Sequence, residues 1–210
     1  MTEAYTQTYD QARMLMEKRG LFDITSESGK LADRYGKHDF GRHCLLSRRL
    51  LEGGATFVKV SHTNYDTHHE NFDFHIEQLG EFDRTFATLL EDLDIRGLLD
   101  STLVVVMSEF GRTLDPAAGA GSDHAWGNHW FAVGGPVKGG VVYGNTFPTL
   151  QTGGPDDASL YDPKRGQWIP QFSSDQFMSD IVRWLGLTPA QTLAVLPNLA
   201  NFSAKTIGYL

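Results

Sequence analysis

One uninterrupted apolar run constrains the fold of this chain more than any other stretch. Residues Leu103–Met107 read LVVVM, and the turn-like residues SEFGR follow at once at 108–112. An apolar run bounded by turn residues is typical of a strand buried on both faces. In open parallel sheets, functional groups lie just beyond the carboxyl ends of the strands. The run therefore predicts a central strand that ends at Glu109 and Arg112, which form either a structural ion pair or part of a ligand site.

The segments before this run predict a βαβ unit. Residues 55–61 (ATFVKVS) alternate between apolar and polar side chains and are predicted to form a strand. Phe72–Leu93 is the strongest predicted helix, because its apolar side chains recur at intervals of three and four. A strand, a long helix and a second strand with short joins imply parallel strands with a right-handed crossover. We therefore expect an α/β fold, with a mostly parallel sheet flanked by helices, in a single domain over residues 1–210.

The remaining elements follow from local patterns. Helices are predicted at residues 3–19 and 39–52, and a C-terminal helix is predicted after a cap at Ser173–Asp175. Short strands are predicted at Trp130–Val133 and around Val141–Tyr143. Residues 145–171 are rich in proline and turn residues, so they are predicted to be an extended loop.

Composition excludes several functional classes. The 210 residues carry a net charge of −8, which argues against a nucleic-acid-binding surface. The single cysteine, Cys44, excludes an internal disulfide framework and a multi-cysteine zinc site. No run approaches the roughly 20 apolar residues that span a bilayer. The first 20 residues lack the apolar segment of a signal peptide, so the chain as given is expected to be soluble and untargeted.

Histidines and carboxylates cluster in two loops. The first loop follows the predicted strand at 55–61 and carries Asp66 and Glu70, while the second follows Leu103–Met107 and carries Glu109, Asp115 and Asp123. The histidines of these regions are His62, His68, His69, His75, His124 and His129. The predicted crossover places both loops at one edge of the sheet, where imidazole and carboxylate ligands suit zinc and also iron or manganese.

Each of these residues also has a structural interpretation. His62 ends a predicted strand and His75 lies within a helix, so neither needs to be a ligand. Asp123 can form an Asx turn ahead of His124. The sequence contains no Gly-x-Ser-x-Gly nucleophile motif and no glycine-rich phosphate loop with lysine. The clustering favours a metal site without assigning a reaction.

Four motifs together resemble a known bacterial family. They are YDTH at 65–68, LVVVMSEFGRT at 103–113, SDHAWG at 122–127 and GGPVKGGVVYG at 134–144. Similar stretches lie upstream around Tyr35–Gly54 and in the helix that begins near Asp175. With these motifs the chain resembles, over nearly its whole length, proteins grouped as domain of unknown function 1501, which is placed in the alkaline phosphatase and sulfatase superfamily.

This resemblance implies a metal-dependent hydrolase of phosphate or sulfate esters. The implied metal ligands are Asp66, His68, Glu109, Asp123 and His124. Glu109 occupies the place of an aspartate–histidine pair in the superfamily, and Phe110 departs from that pattern. Arg112 is the implied catalytic cation, stabilising developing negative charge. The expected cofactor is a divalent metal, with zinc as the first choice and manganese, calcium or iron as alternatives.

The resemblance also implies that this chain corresponds to the C-terminal half of a longer protein. Family members are about twice this long and commonly begin with a twin-arginine export signal. The superfamily's nucleophile comes from the N-terminal half, so we expect no turnover by this chain alone. The expected partners are a small-molecule ester and either a second copy of the chain or the missing half. The alternative is a non-catalytic exported binding or structural protein that retains the fold.

Overall fold

The chain forms two compact units. The computed structural model describes residues 3–144, 148–160 and 163–210, without the side chains of residues 3, 4, 11 and 15. The N-terminal unit comprises residues up to Asp66 together with Asp73–Leu99, and the C-terminal unit comprises Thr67–Phe72 together with Asp100–Leu210. None of the described helices combines the length and the hydropathy needed to cross a bilayer.

Six α-helices and two short strands are described, in chain order. They are α1 (Glu3–Glu17), α2 (Gly29–Tyr35), α3 (Asp39–Glu52), α4 (Asn71–Ile95), β1 (Val104–Val106), β2 (Phe131–Val133), α5 (Ser174–Trp184) and α6 (Pro189–Val195). Single 3-10 turns lie at Arg19–Phe22, Ile24–Ser26, Leu99–Ser101 and Pro197–Asn201. The predicted helices at 3–19, 39–52 and 72–93 are therefore confirmed, as is the Ser173 cap, whose hydroxyl accepts from the Gln176 backbone N–H at 3.1 Å.

The N-terminal unit is helical, and its core combines apolar side chains with a buried charge network. Its buried apolar residues are Tyr35, Phe40, Cys44, Leu45, Leu89 and Leu93. Arg48 is only 1% exposed. Its Nη1 donates to Glu52 at 2.6 Å, while its Nε and Nη2 lie 2.9 and 2.8 Å from the carboxylates of Asp92 and Glu27 as charge contacts without aligned hydrogen bonds. A buried guanidinium thus joins α3 to α4 and to the segment before α2.

The apolar face of α4 is packed along only part of its length. Leu89 and Leu93 are buried near the carboxyl end, whereas Ile76 and Leu79 near the amino end are 73% and 51% exposed. Periodicity correctly predicted the helix, because the spacing of apolar residues reports one face. It did not predict which part of that face is buried.

The C-terminal unit contains a two-stranded sheet, and most of its remaining chain is irregular apart from α5 and α6. β1 and β2 pair antiparallel, with Val105 opposite Ala132. The aromatic ring of Phe177 on α5 stacks on Tyr209 at 4.8 Å and meets Trp130 edge-on at 5.1 Å. Asp180 accepts the backbone N–H groups of Ile207 and Gly208 at 2.8 and 2.9 Å. The C-terminal tail is therefore held against α5.

The predicted α/β fold with a mostly parallel sheet is wrong. Residues 55–61 form no strand, so the first strand of the predicted βαβ unit is missing. The run at Leu103–Met107 does contain β1, but its partner is the later segment β2 in antiparallel register. Alternating hydrophobicity is compatible with any extended segment that has one sheltered side, and it carries no information about a ladder partner. Val141–Tyr143 likewise form no strand, whereas the strand predicted at Trp130–Val133 is confirmed as β2.

Candidate metal centre

Two chain segments of the C-terminal unit meet through backbone hydrogen bonds. Glu70 N–H and Asn71 N–H donate to the carbonyls of Gly119 and Ala120, each at 2.9 Å. Ser122 N–H donates to Thr67 O at 3.1 Å. These bonds hold the first histidine loop, at 67–71, against residues 119–122 of the second.

A glycine makes this close approach feasible. A Cβ atom added at Gly121 would lie 1.8 Å from the carbonyl oxygen of His68, well inside any allowed contact. The neighbouring residue Ala120 has φ +59°, and Glu70 opposite has φ +47°, values that L side chains rarely adopt. The crossing of the two loops is therefore sterically demanding, and strain of this kind concentrates at functional sites.

The segment after β1 runs beside Asp123 and His124. Arg112 and His124 form a single antiparallel bridge. On either side of it, Thr113 N–H donates to Asp123 O at 2.9 Å and Ala125 N–H donates to Gly111 O at 2.8 Å. The loop after β1, which carries Glu109 and Arg112, thus lies next to Asp123 and His124. Single backbone contacts place it there, and not the parallel sheet that the sequence predicted.

The two histidines predicted as ligands face each other in this crossing. His68 Nε2 lies 3.2 Å from His124 Nε2, and the two ring centroids are 5.0 Å apart. We call His68 and His124 the histidine pair. The ring of Phe110 lies 4.3 Å from the His124 ring and covers one side of it.

Asp123 fixes the orientation of His68. Its Oδ1 lies 3.1 Å from His68 Nδ1, and its Oδ2 accepts a hydrogen bond from Arg165 Nη1. The hydrogen bonds from Arg165 and from His68 hold the pKa of the Asp123 carboxyl below its usual range. An ionised Asp123 favours the His68 tautomer that carries its proton on Nδ1, which leaves the Nε2 lone pair directed at His124.

The other predicted site residues occupy distinct positions. Asp66 is exposed and ends the first segment of the N-terminal unit, two residues before His68 in the chain. Glu109 is exposed in the loop after β1, and among the described residues it is not part of the hydrogen-bonded chain around the histidine pair. Arg112 is half-buried, and its Nη1 donates to the carbonyl of Ser122 at 2.8 Å.

Two residues of this site were missed in the sequence. Arg165 binds Asp123, and Gln167 Nε2 donates to the carbonyl of His124 at 3.0 Å. Both lie in the stretch 145–171, which the sequence predicted only as a loop. Arg165 is 42 residues from Asp123, and no local spacing signals a contact over that distance.

A family model described as "Protein of unknown function (DUF1501)" matches residues 1–153. No curated protein and no solved structure matches the chain. The matched region includes both histidines of the pair and ends before Arg165.

Proposed function

The chain belongs to the DUF1501 family, and from this premise we propose that the histidine pair is the core of a divalent-metal centre in a hydrolase-like domain for phosphate or sulfate esters. The observation that carries the proposal is the 3.2 Å separation of the two Nε2 atoms. Two imidazole nitrogens at about 2.0 to 2.1 Å from one tetrahedral zinc ion lie about 3.3 to 3.4 Å apart. The pair is close to that spacing.

The polar groups around the pair fit the same interpretation. Metal-binding histidines usually donate the N–H of their other ring nitrogen to a carboxylate, which fixes the ring and raises its basicity. Asp123 occupies that position against His68 Nδ1. Asp123 is therefore proposed to orient a ligand, in place of the direct ligand role that the sequence suggested.

The remaining ligands are proposed from the chain order. Asp66 precedes His68 in an Asp-x-His arrangement and is the proposed third ligand. Glu109 remains a predicted ligand from the loop after β1. Imidazole and carboxylate donors suit zinc first, with manganese, calcium or iron as alternatives.

The proposed chemistry follows from such a centre. A bound divalent ion supplies Lewis-acid polarisation of an ester oxygen and lowers the pKa of bound water. Within the chain, His68 and His124 hold the ion, Asp123 keeps His68 in its ligating tautomer, and Arg112 stabilises negative charge on the ester. The proposed relation to alkaline phosphatases and sulfatases rests on the order of carboxylates and histidines alone. The sheet gives it no support, because the described residues form a two-stranded antiparallel sheet.

The same separation also supports a second candidate function. A distance of 3.2 Å fits a direct N–H···N hydrogen bond between neutral imidazoles. In that case the pair ties two loops together in a non-catalytic binding or structural protein. The two candidates differ in whether a metal is bound.

Metal analysis separates the two candidates. Protein purified without chelator is measured by elemental analysis, as wild type and as His68→Ala and His124→Ala. His129→Ala is the matched control, because His129 is exposed in the same loop region and lies outside the pair. We expect about one equivalent of metal in wild type and control, and loss of metal in both pair variants, because a two-ligand remnant binds weakly.

Hydrolysis is the second test. The resemblance assigns the nucleophile to the N-terminal half of the family, so metal binding is tested first and turnover of nitrophenyl phosphate and nitrophenyl sulfate second. Absence of stoichiometric metal, together with unchanged metal content across the variants, contradicts the metal centre. Hydrolysis of either ester supports the hydrolase chemistry. Stoichiometric metal without hydrolysis leaves the metal centre standing and gives no support to the ester chemistry, because no turnover is expected of this chain alone.

A further inference from the structure

The histidine pair receives two contacts from a single later loop. Arg165 Nη1 binds Asp123, the carboxylate that orients His68, and Arg165 Nη2 donates to Asp115 O at 3.1 Å. Two residues later, Gln167 Nε2 donates to His124 O at 3.0 Å. One short stretch therefore supports both histidines, each through a different group.

A buried carboxylate joins residues 153 and 159 to residues 166 and 167 of that loop. Asp157 is 4% exposed, and its two oxygens accept five hydrogen bonds. The donors are the backbone N–H groups of Gly153, Ser159, Gly166 and Gln167 and the hydroxyl of Ser159. Burial alone would raise the pKa of Asp157, but these hydrogen bonds outweigh it and hold the pKa well below its usual value. Asp157 thus favours its ionised form and links the described stretch 153–159 to residues 166 and 167.

The position of Arg165 is set by these hydrogen bonds. Gly166 and Gln167, which bind Asp157 through their backbone, flank Arg165 on its carboxyl side. On its amino side, Arg165 N–H donates to the Ser159 hydroxyl at 3.2 Å, and that hydroxyl itself donates to Asp157. The hydrogen bonds on both sides of Arg165 therefore reach the Asp157 carboxylate, either directly or through the Ser159 hydroxyl.

We propose that Asp157 and Arg165 are positioning residues of the candidate metal centre, acting through Asp123 on His68. Asp157 holds the loop, the loop presents the Arg165 guanidinium, and the guanidinium fixes the Asp123 carboxylate against His68 Nδ1. The inference rests on the proposed metal centre and assigns a supporting role to residues beyond the matched region 1–153.

The planar guanidinium is suited to this role. It binds a carboxylate oxygen and a backbone carbonyl at once, in fixed relative directions, which a lysine ammonium on a flexible stem does not reproduce. Outer-shell partners of metal-binding histidines typically change metal affinity by about 10- to 100-fold when they are mutated. Arg165 contacts Asp123 and reaches His68 only through it, so the effect of Arg165 on zinc affinity is expected near the lower end of that range.

The test compares zinc affinity across three variants, measured by competition with a chromophoric chelator. Arg165→Met removes the charge, Arg165→Lys keeps the charge without the planar fork, and Asp157→Asn weakens the loop. Arg13→Met is the matched control, because it makes the same chemical change at a side chain that is 70% exposed on α1. We expect about tenfold weaker zinc binding for Arg165→Met, an intermediate value for Arg165→Lys and a loss for Asp157→Asn. Arg13→Met should match wild type.

A second readout reports positioning without metal. Imidazole nitrogen NMR spectra of the metal-free protein distinguish the two neutral tautomers of His68. In wild type we expect the Nδ1–H tautomer, and in Arg165→Met a mixture of tautomers, because Asp123 is no longer held in place. Far-UV circular dichroism of each variant verifies that the helices are intact.

The outcomes separate this inference from the proposed function. If wild type binds zinc and Arg165→Met binds it equally well, the positioning role is overturned and the metal centre stands. If wild type binds no zinc, the metal centre fails, and an unchanged His68 tautomer in Arg165→Met then overturns the positioning role as well. If Asp157→Asn disrupts the fold, Arg165→Met alone decides the matter.

Discussion

The Nε2 atoms of His68 and His124 lie 3.2 Å apart, although 56 residues separate the two histidines in the chain. Backbone bonds between residues 67–71 and 119–122 bring them together, and the bridge between Arg112 and His124 adds the loop after β1. The approach therefore depends on the crossing of irregular segments rather than on strand ends of a sheet. Substitutions at the crossing of these segments should therefore disturb the approach of the two histidines.

Asp123→Asn should weaken metal binding while leaving the fold intact. Asparagine has the same shape but no charge, so it no longer holds the Nδ1 proton of His68 as a carboxylate does, and it loses its charge pairing with Arg165. We expect about 10- to 100-fold weaker zinc binding, as found for other carboxylate partners of metal-binding histidines. Asp83→Asn, an exposed change on α4, is the control, and equal zinc affinity in the two variants would contradict the orienting role of Asp123.

Gly121→Ala and Ala120→Gly should have opposite effects on the C-terminal unit. A Cβ at residue 121 would meet His68 O at 1.8 Å, so the two loops have to separate. We expect Gly121→Ala to abolish zinc binding and to destabilise the unit by several kcal/mol, in the range of about 4 kcal/mol or more that marks severe steric disruption. Ala120 has φ +59°, so glycine there relieves strain and should be neutral or stabilising by up to about 1 kcal/mol.

Tryptophan fluorescence reports how these two substitutions change the stability of the C-terminal unit. Trp126, Trp130, Trp168 and Trp184 are the four tryptophans of the chain, and all lie in the C-terminal unit. Urea unfolding followed by fluorescence thus reports that unit. Equal midpoints for Gly121→Ala and Ala120→Gly would show that the loop crossing is not tightly packed.

The sequence predicted local structure well and long-range structure poorly. The bounds of α3 and the Ser173 cap could be read from residue patterns, because both depend on neighbours within a few positions. The antiparallel pairing of β1 with β2 could not be read in this way, and a parallel sheet was predicted wrongly, because residues 55–61 carry the alternation of a strand without a partner to pair with.

The candidate site shows the same division. Local clustering of histidines and carboxylates in the sequence indicated the two loops, and the family resemblance then singled out His68 and His124, whose role as metal ligands stays a prediction. Arg165 was missed because a lone arginine in a proline-rich loop has no pattern, and its contact with Asp123 is made only by the folded loop around Asp157. Long-range polar contacts of this kind depend on the path of the whole chain.

Arg48→Met should destabilise the N-terminal unit strongly. The substitution keeps much of the apolar stem but removes the most buried cation from Glu27 and Asp92, whose side chains are 12% and 8% exposed; Arg49 stays with Glu27 and Arg96 with Asp92. Breaking a buried ion pair on one side costs about 3 to 5 kcal/mol. Arg42→Met is the control, because the Arg42–Asp39 pair is largely exposed and contributes less than about 1 kcal/mol.

Far-UV circular dichroism is the suitable probe for this comparison, because α1, α2 and α3 and nearly all of α4 belong to the N-terminal unit. The urea midpoint of the helical signal is expected to fall for Arg48→Met and to stay near that of wild type for Arg42→Met. A small change for both would mean that the buried charges are readily hydrated.

Glu27 should make the N-terminal unit sensitive to acid. Burial would raise the pKa of Glu27, but the close guanidinium groups of Arg48 and Arg49 outweigh it, so the pKa in the folded protein lies below its ordinary value. A depressed carboxyl pKa stabilises the fold above the unfolded-state pKa of about 4.3, and that contribution is lost as the pH falls through the folded-state pKa. We expect the stability difference between wild type and Glu27→Gln to be full at pH 7 and to shrink in acid; a difference that is constant with pH would contradict the assignment.

Cys44 should be inert towards thiol reagents in the folded protein. Its side chain is 3% exposed, and burial raises the pKa of the thiol to about 12, so almost no thiolate is present near neutral pH. We expect no reaction with a chromogenic disulfide reagent at pH 8 under native conditions. After unfolding in urea, Cys44 should release one equivalent of the chromophore. Asp83→Cys adds an exposed thiol on α4 and is the positive control. The added thiol should react at once, and the second equivalent of chromophore, from Cys44, should appear only in urea. Rapid reaction of Cys44 without denaturant would show that the α2–α3 core opens readily. The thiolate is the form that attacks the reagent, and the Cys44 thiol ionises near pH 8 only when the core opens to water.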